Sequence, residues 1–423
     1  MSGKTVAIGI DGVPPEVMEG LVGEGVMENF GRLMEEGKFS RMESSLPAVS
    51  SASWSSIITG KNPGEHGVYG FSDMIEGTYS LRFNNFRSLK SKAFWERNNK
   101  RNVIMNVPST YPAEETNGVH ISGFVSPDFE KAVYPETLKE KLKEMNYRVD
   151  VDSEKGHKSK RLLFKELFDV LDARIEAYRH LWDREDWDTF KLVFTGSDRL
   201  EHFLWDAWED EGHEHREKFL EYFRRVDEVI GEVDSKMDED DSLIILSDHG
   251  MEGVKKNVNL NGWLVEEGLL NLREEGKRYN RVGKGSKAFA LEHGRIYLNR
   301  EGKYPRGSVS EDEEEDILNE IKGKLMDLER NGEKVVKEVH RGEDIYKGEE
   351  VGKAPDLVVV PKSGYRLRGK MEEKVFEDDS FQGMHNRDAF MYAKGPVKEH
   401  MPDKPHVEDF VPMINKIKKE ATI

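Results

Sequence analysis

The sequence contains no cysteine. Disulfides, thiolate metal ligands and a cysteine nucleophile are therefore excluded. It also lacks any apolar run that approaches the length of a membrane span. The opening residues, MSGKTVAIGIDG, hold a short apolar stretch that ends in Asp11, with no long hydrophobic signal region and no cleavage signal. The expectation is a cytoplasmic protein that does not engage a membrane. Positive charge is scarce beside negative: 64 Lys and Arg stand against 82 Asp and Glu, a formal net charge of −18. That balance disfavours a broad nucleic-acid-binding face. It does not exclude a small anionic partner, because bound metal ions invert the local field. An acidic surface fits a salty or hot habitat and a merely soluble protein about equally. Clear repeats and long low-complexity linkers are absent too, and nothing here fixes the oligomeric state.

What is present is length and periodicity. A chain of 423 residues can bury a sizeable core and suggests one large α/β domain with an insertion. Residues 4–10, 102–107, 119–124, 189–195, 243–247, 356–360 and 389–393 read as short buried strands rich in Val, Ile, Leu or Phe. Between them, residues 137–144, 161–182 and 214–231 carry apolar residues at helical spacing. This alternation predicts a largely parallel sheet with helices on both faces. Residues 255–380 differ. They hold the polar segment Glu274–Lys287 and the acidic run Glu311–Asp316, followed by a helix with Ile317, Ile321 and Leu325 on one face. Acidic residues at a helix start match its dipole, which favours a solvated helix over an acidic binding patch. The expected organisation is a catalytic α/β core over 1–254, an inserted cap over 255–380, and a return to the core over 381–423.

Three strands end in Asp or an Asp-containing turn: Asp11, Asp198 and Asp248. Ligands collect at the carboxyl ends of strands in open α/β sheets. Three carboxylates gathered there repel one another unless cations neutralise them. In LIILSDHGM, Asp248 and His249 offer an oxygen and a nitrogen ligand at one corner. In VFTGSDRLEHFLW, Asp198 and His202 lie four apart and share one face of a helix's first turns. Taken alone, that pair reads better as a helix cap and a packed histidine. Ser50 precedes a short helical pattern that ends at Gly60, and at a helix N-terminus its hydroxyl meets free backbone N–H groups that favour an anion. A capping serine has the same signature, and Ser51, Ser53, Ser55 and Ser56 leave the choice of serine open. His66 fits best as a stabiliser of the PGEHG turn. His385, just before a strand in QGMHNRDAFMYAKGP, is by itself one more structural histidine.

Taken in order, these segments resemble a family. Asp-Gly after the first strand, P-x-x-Ser-x-x-x-Trp with TGKNPGEHG, Asp-x-x-x-His, Ser-Asp-His-Gly and Gly-x-His resemble the alkaline phosphatase superfamily, and within it the type I phosphodiesterase/nucleotide pyrophosphatase branch. NVPSTYP, NGVHISGFVSP, HGRIYLNREGKYPRGSV and APDLVVVP resemble more narrowly the archaeal and bacterial predicted phosphohydrolases or phosphomutases. The resemblance runs to at least Pro396. It implies a three-layer sandwich around a largely parallel sheet. It implies that Asp11, Ser50, Asp248 and His249 hold one metal ion and Asp198, His202 and His385 a second. Ser50 is the implied nucleophile, since it stands four residues before Trp54, and His66 matches a position that is not a ligand.

Mixed oxygen and nitrogen donors suit zinc, with manganese or iron as alternatives. The implied activity is metal-dependent hydrolysis of small phosphate esters through a phosphoserine, by in-line displacement between two ions roughly 4 Å apart. A phosphomutase or phosphotransferase using the same site is the alternative, and a non-catalytic metal-binding protein is the second. A sulfatase is disfavoured because SSASW lacks the C/S-x-P-x-R context. One departure from the branch matters. An Asn that binds a phosphoryl oxygen typically follows its HG motif, whereas HGVYGF offers Tyr69, Gly70 and Phe71. Lys61 is the candidate substitute in substrate binding, against a reading as a solvated lysine. With no other cation near Ser50, and with Trp54, Tyr69 and Phe71 available to line an apolar slot, a diester is the expected better substrate.

Overall fold

The computed structural model describes residues 3–97 and 99–420, without the side chains of 418–420. Its centre is an eight-stranded sheet. The strands are β1 (Thr5–Ile10), β2 (Lys38–Glu43), β3 (Asn102–Val107), β4 (Gly118–Ser122), β5 (Val133–Tyr134), β6 (Thr189–Phe194), β7 (Ser242–Leu246) and β8 (Asp388–Lys394). Their order across the sheet is β2-β8-β7-β1-β6-β3-β4-β5. The five strands from β7 to β4 run parallel, while β8 lies antiparallel to β7 and β5 antiparallel to β4. Every residue of β1, β3 and β6 is buried. Unbroken apolar runs such as TVAIGI mark strands covered on both faces, so alternation with polar residues is lost.

The two faces are packed by different elements. Val6, Ile8 and Ile10 point into a layer formed by the helices Pro15–Gly23, Glu28–Glu36, Lys160–Arg184 and Arg216–Ser235. Ala7 points the other way, into a layer with Trp54, Ile57 and Ile58 of the helix Ser50–Thr59 and Phe410 of the helix Phe410–Glu420. The result is a helix–sheet–helix sandwich, as the alternation of strands and helices predicts.

A second hydrophobic cluster is built from residues between Val258 and Val375, joined by Tyr79. It surrounds a four-stranded sheet of Ala288–Leu291, Arg295–Leu298, Leu357–Pro361 and Val336–Arg341, all antiparallel. Ile317, Leu318, Ile321 and Leu325 of the helix Glu314–Asp327 cover it. The strand read at 356–360 lies in this smaller sheet and not in the central one. Its run DLVVV matches the central strands in composition, and composition does not tell which sheet a buried strand joins. Among the described residues, no helix is long and apolar enough to cross a membrane.

Lys191, in the middle of β6, is fully buried. Its ammonium has no hydrogen-bond partner and sits 4.9 Å from the Trp54 ring centre and 4.7 Å from that of Phe410. Burial lowers its pKa to about 7. Between that value and the ordinary 10.5 the unfolded chain binds the proton and the folded chain does not, so stability rises with pH across this window. Below it the full penalty of a buried cation remains, offset in part by the two rings. Lys191→Met is therefore expected to raise stability at neutral pH by about 1–2 kcal/mol and to flatten the rise between pH 7 and 10. Thermal melts of both proteins across that range would check it, and a less stable variant at pH 7 would refute it.

Candidate active site

Each side chain in question stands where a strand or helix begins or ends. Asp11 follows β1, and Asp248 and His249 follow β7 after Ser247. Gly12 turns the chain sharply, with φ at +79°, and a side chain there would meet Asp198. Its N–H donates to Asp248 Oδ1 at 3.2 Å. Asp198 and His202 lie in the first turns of the helix Gly196–Glu209, which starts directly after β6. Asp198 is the third helical residue and not the cap, a position held by Thr195.

His385 arrives from far along the chain. Gly250–Gly253 pairs antiparallel with Gly383–Asn386, in a register that sets Met251 opposite His385. This ribbon brings the His385 ring to 3.7 Å from that of His249, centre to centre. A side chain at Gly383 would strike the Glu201 carbonyl. That close approach lets the Gly383 carbonyl accept from His202 Nδ1 at 2.8 Å.

The contacts of the three imidazoles leave one nitrogen of each facing inward. His202 donates from Nδ1 to Gly383, His249 from Nδ1 to the Gly250 carbonyl at 3.0 Å, and His385 from Nδ1 to the Ala48 carbonyl at 3.3 Å. The carbonyls set the tautomer, so each Nε2 carries a lone pair. Burial lowers the pKa of His202 to about 4 and that of His385 to about 3, so both are neutral at pH 7. Their Nε2 atoms nevertheless stand 2.9 Å apart, and His385 Nε2 lies 3.1 Å from Asp198 Oδ1. Two lone pairs and a carboxylate oxygen cannot satisfy one another without a cation.

The other half of the cluster makes the same demand. Asp11 Oδ1 and Asp248 Oδ2 are buried with no hydrogen-bond partner. They lie 3.9 and 3.4 Å from His249 Nε2. Burial, with the charges of Asp248 and Asp198 beside it, pushes the Asp11 carboxyl well up, and burial pushes Asp248 to about 8. Burial also acts on Asp198, but His202, His385 and Arg199 outweigh it and hold that carboxyl low. The donor atoms of Asp198, His202 and His385 lie within 4.8 Å of one another, and so do those of Asp11, Asp198 and His249. This donor set fits divalent cations. Asp198 stands close to both groups, so proximity alone does not assign it to one of them.

Ser50 opens the helix Ser50–Thr59 as its first residue, after Val49 at the cap position. It makes no capping bond. Its hydroxyl lies 3.1 Å from His249 Nε2. Three of the four neighbouring serines are occupied elsewhere. Ser53 bonds to Ser44 and Ser45, Ser55 to the Ser51 carbonyl, and Ser56 to His66. Ser51 is buried without a hydroxyl partner. Of the five serines, Ser50 is the one that lines the cleft. Trp54, one turn on, donates to Asp11 Oδ2 at 2.9 Å and fixes that carboxylate.

The geometry gives Lys61 no part in this site. It lies past Gly60, at the far end of a ten-residue helix roughly 15 Å long, and pairs with Glu65 at 2.7 Å. It does not line the cleft. Helical rise separates it from Ser50, which nearness in sequence conceals. A cation that does stand beside Asp198 is Arg199, missed in the sequence although it is the next residue. It binds Asp198 at 2.8 Å and Asp150 at 2.9 Å. Phe71 and Phe124 line the cleft as an edge-to-face pair, 5.2 Å between ring centres. Trp54 and Tyr69 belong to the core. His66 accepts from the Val68 N–H and stabilises its turn.

A largely parallel sheet with carboxylates and imidazoles at its strand ends, facing a serine at a helix N-terminus, defines a hydrolase of the alkaline phosphatase superfamily. The family model for type I phosphodiesterase/nucleotide pyrophosphatase matches residues 5–388, and the chain belongs to that family. It is accordingly an enzyme that hydrolyses phosphoric ester bonds. Among solved structures, phosphonoacetate hydrolase from Sinorhizobium meliloti 1021 in complex with phosphonoacetate is similar at 16% identity and a TM-score of 0.67, over 98% of this chain and 96% of that one. Murine ectonucleotide pyrophosphatase/phosphodiesterase 5 is similar at 12% identity and a TM-score of 0.56, over 98% and 95%. An inactive form of the murine protein in complex with AMP gives 12% and 0.58, over 99% and 95%. No curated protein matches the sequence.

Proposed function

We propose that this enzyme cleaves small phosphate esters through a covalent phosphoserine on Ser50, with Asp11, Ser50, Asp248 and His249 holding one divalent ion and Asp198, His202 and His385 the other. The observation that carries the reading is the Ser50 hydroxyl, the one serine of its helix that faces the unpartnered donor cluster. Zinc suits these donors, with manganese or iron as alternatives. Bound there, two divalent ions supply charge that favours the serine alkoxide and offsets the charge growing on the transferred group. Ser50 Oγ forms a bond to phosphorus as the bond to the leaving oxygen breaks, and the leaving oxygen takes up a proton. Water then forms the second bond to phosphorus, the Oγ–P bond breaks, and Ser50 regains its proton. Among the described residues, no backbone acceptor meets the N–H groups of Ser50 and Ser51 at the start of the helix, a position suited to a phosphoryl oxygen. The bound phosphonates and AMP in the structural relatives agree with a small phosphorylated substrate. Acid quenching during turnover, followed by peptide mass spectrometry, should find phosphate on Ser50. Phosphate on a different serine would overturn the assignment.

Within this reading the better substrate is a diester. Arg199 adds a cation that the sequence did not reveal beside the site, but Asp198 and Asp150 already compensate it. A monoester brings one more negative charge and needs further donors to hold it. The Phe71–Phe124 pair offers an apolar wall to a second substituent. Bis(4-nitrophenyl) phosphate is expected to show a higher kcat/KM than 4-nitrophenyl phosphate at the same pH and metal. A tenfold preference for the monoester would remove the diesterase reading and leave the two-ion site standing.

A further inference from the structure

The cleft in front of Ser50 is much larger than a phosphoryl group requires. Its volume is about 1320 Å³, above the range that usually encloses a drug-sized ligand. It is lined by Ser50, Asp198, His202 and His385 and by residues between Lys255 and Arg368. In that second group the strand Tyr365–Arg368 follows the simple alternation of an extended chain. Tyr365 and Leu367 are buried in the second hydrophobic cluster, while Arg366 and Arg368 are only partly covered and line the cleft.

Both guanidinium groups are tethered on one edge. Arg366 binds Asp379 through one terminal nitrogen at 2.7 Å, and Arg368 binds Glu292 through Nε at 2.9 Å. Among the described residues, no acceptor meets their other N–H groups. Arg366 lies over the ring of Phe381, 5.0 Å from its centre, and that ring lies 5.0 Å from the ring of His202. One aromatic ring therefore separates this arginine from the donor cluster. Lys255 lines the same space and, among the described residues, has no ion-pair partner. Of the carboxylates that line this part of the cleft, Glu292 holds Arg368, Glu252 accepts the Gly364 N–H at 3.3 Å, and the exposed Glu333 has no ion-pair partner among the described residues.

A wall richer in cations than in free carboxylates is not what a chain of net charge −18 presents by default. Two arginines held at one edge, with their remaining N–H groups open, suit a planar or tetrahedral oxyanion. We infer that Arg366 and Arg368, with Lys255, form a second anion subsite, so that the enzyme's substrates are phosphate esters whose organic part carries a further carboxylate or phosphate group. The inference rests on the proposed phosphoesterase reading of the Ser50 site and names the substrate class for it.

The test uses a set of 4-nitrophenyl phosphodiesters that differ only in the second substituent: an uncharged alkyl group, the same chain ending in carboxylate, and the same chain ending in phosphate. The wild-type enzyme should cleave at least one anionic ester with a kcat/KM tenfold or more above the uncharged one, and added salt should shrink that ratio. The two anionic arms decide between carboxylate and phosphate. In Arg366→Gln/Arg368→Gln the ratio should fall towards one, and each single variant should lie between. Equal kcat/KM for all three esters in the wild type, or a ratio that survives in the double variant, would overturn the subsite. If the double variant does not fold, the wild-type ratio, its salt dependence and the single variants still decide. If no ester is cleaved, the phosphoesterase reading fails first. The subsite is then read by calorimetry, as the difference in Kd between an alkylphosphonate and its ω-carboxy and ω-phosphono counterparts, and equal Kd values would overturn it.

Discussion

Ser50→Ala is expected to lower kcat by at least about a thousandfold while the folded state survives. The hydroxyl is the atom that would bond to phosphorus, so its loss removes the covalent route and not merely a contact. The fold should tolerate the change, since Ser50 caps nothing and its one polar contact is with His249. The neighbours give the control. Ser51 buries a hydroxyl without a partner, so Ser51→Ala should be neutral or slightly stabilising, with turnover little changed. Ser53→Ala breaks bonds to Ser44 and Ser45 and should cost about 1 kcal/mol of stability, again with turnover little changed. Steady-state kinetics and denaturant melts on the three variants separate these effects. A Ser51→Ala enzyme as inactive as Ser50→Ala would show that the register of the nucleophile is wrong.

The same contrast shows what the sequence disclosed and what it hid. The central sheet was legible because strands buried on both faces read as unbroken apolar runs, and β1, β3, β6 and β7 stand close to where those runs predict them. The small sheet was not, because DLVVV carries the same signal wherever it pairs. Asp11, Asp198 and Asp248 were visible as carboxylates at strand ends. Their meeting with His385 was visible only through a resemblance, since the ribbon between Gly250–Gly253 and Gly383–Asn386 closes a loop of more than a hundred residues. Arg199 and Lys61 show the cost of judging nearness by sequence. Lys61 is close to Ser50 along the chain, yet the helix carries it to the opposite end. Arg199 is remote in sequence and faces the cleft. Arg366 and Arg368 gave no signal at all, because two charged residues alternating with apolar ones describe any half-exposed strand.

The second large effect concerns metal. If the donors hold two ions as proposed, the purified enzyme should carry about two equivalents of divalent metal, and chelation should abolish turnover. The need for these ions is electrostatic before it is catalytic. Asp11, Asp198 and Asp248 are all buried, and uncompensated buried charges cost several kcal/mol each. Arg199 answers only part of that, because it is shared with Asp150. Removing the ions should therefore lower the melting temperature as well as the activity, and adding zinc back should restore both. Single variants locate the sites. His202 and His385 face each other and Asp198, and neither lies within hydrogen-bond distance of Asp11 or Asp248, so His202→Ala and His385→Ala should each shed about one equivalent and keep the other. His249→Ala should instead disturb the ion beside Ser50. Asp198 stands near both groups, so Asp198→Asn is expected to reduce both occupancies and to be the most damaging of the ligand changes. Elemental analysis after desalting gives the stoichiometry of each protein. Full occupancy in both His202→Ala and His385→Ala would show that these imidazoles hold no ion, and their facing lone pairs would then need another partner.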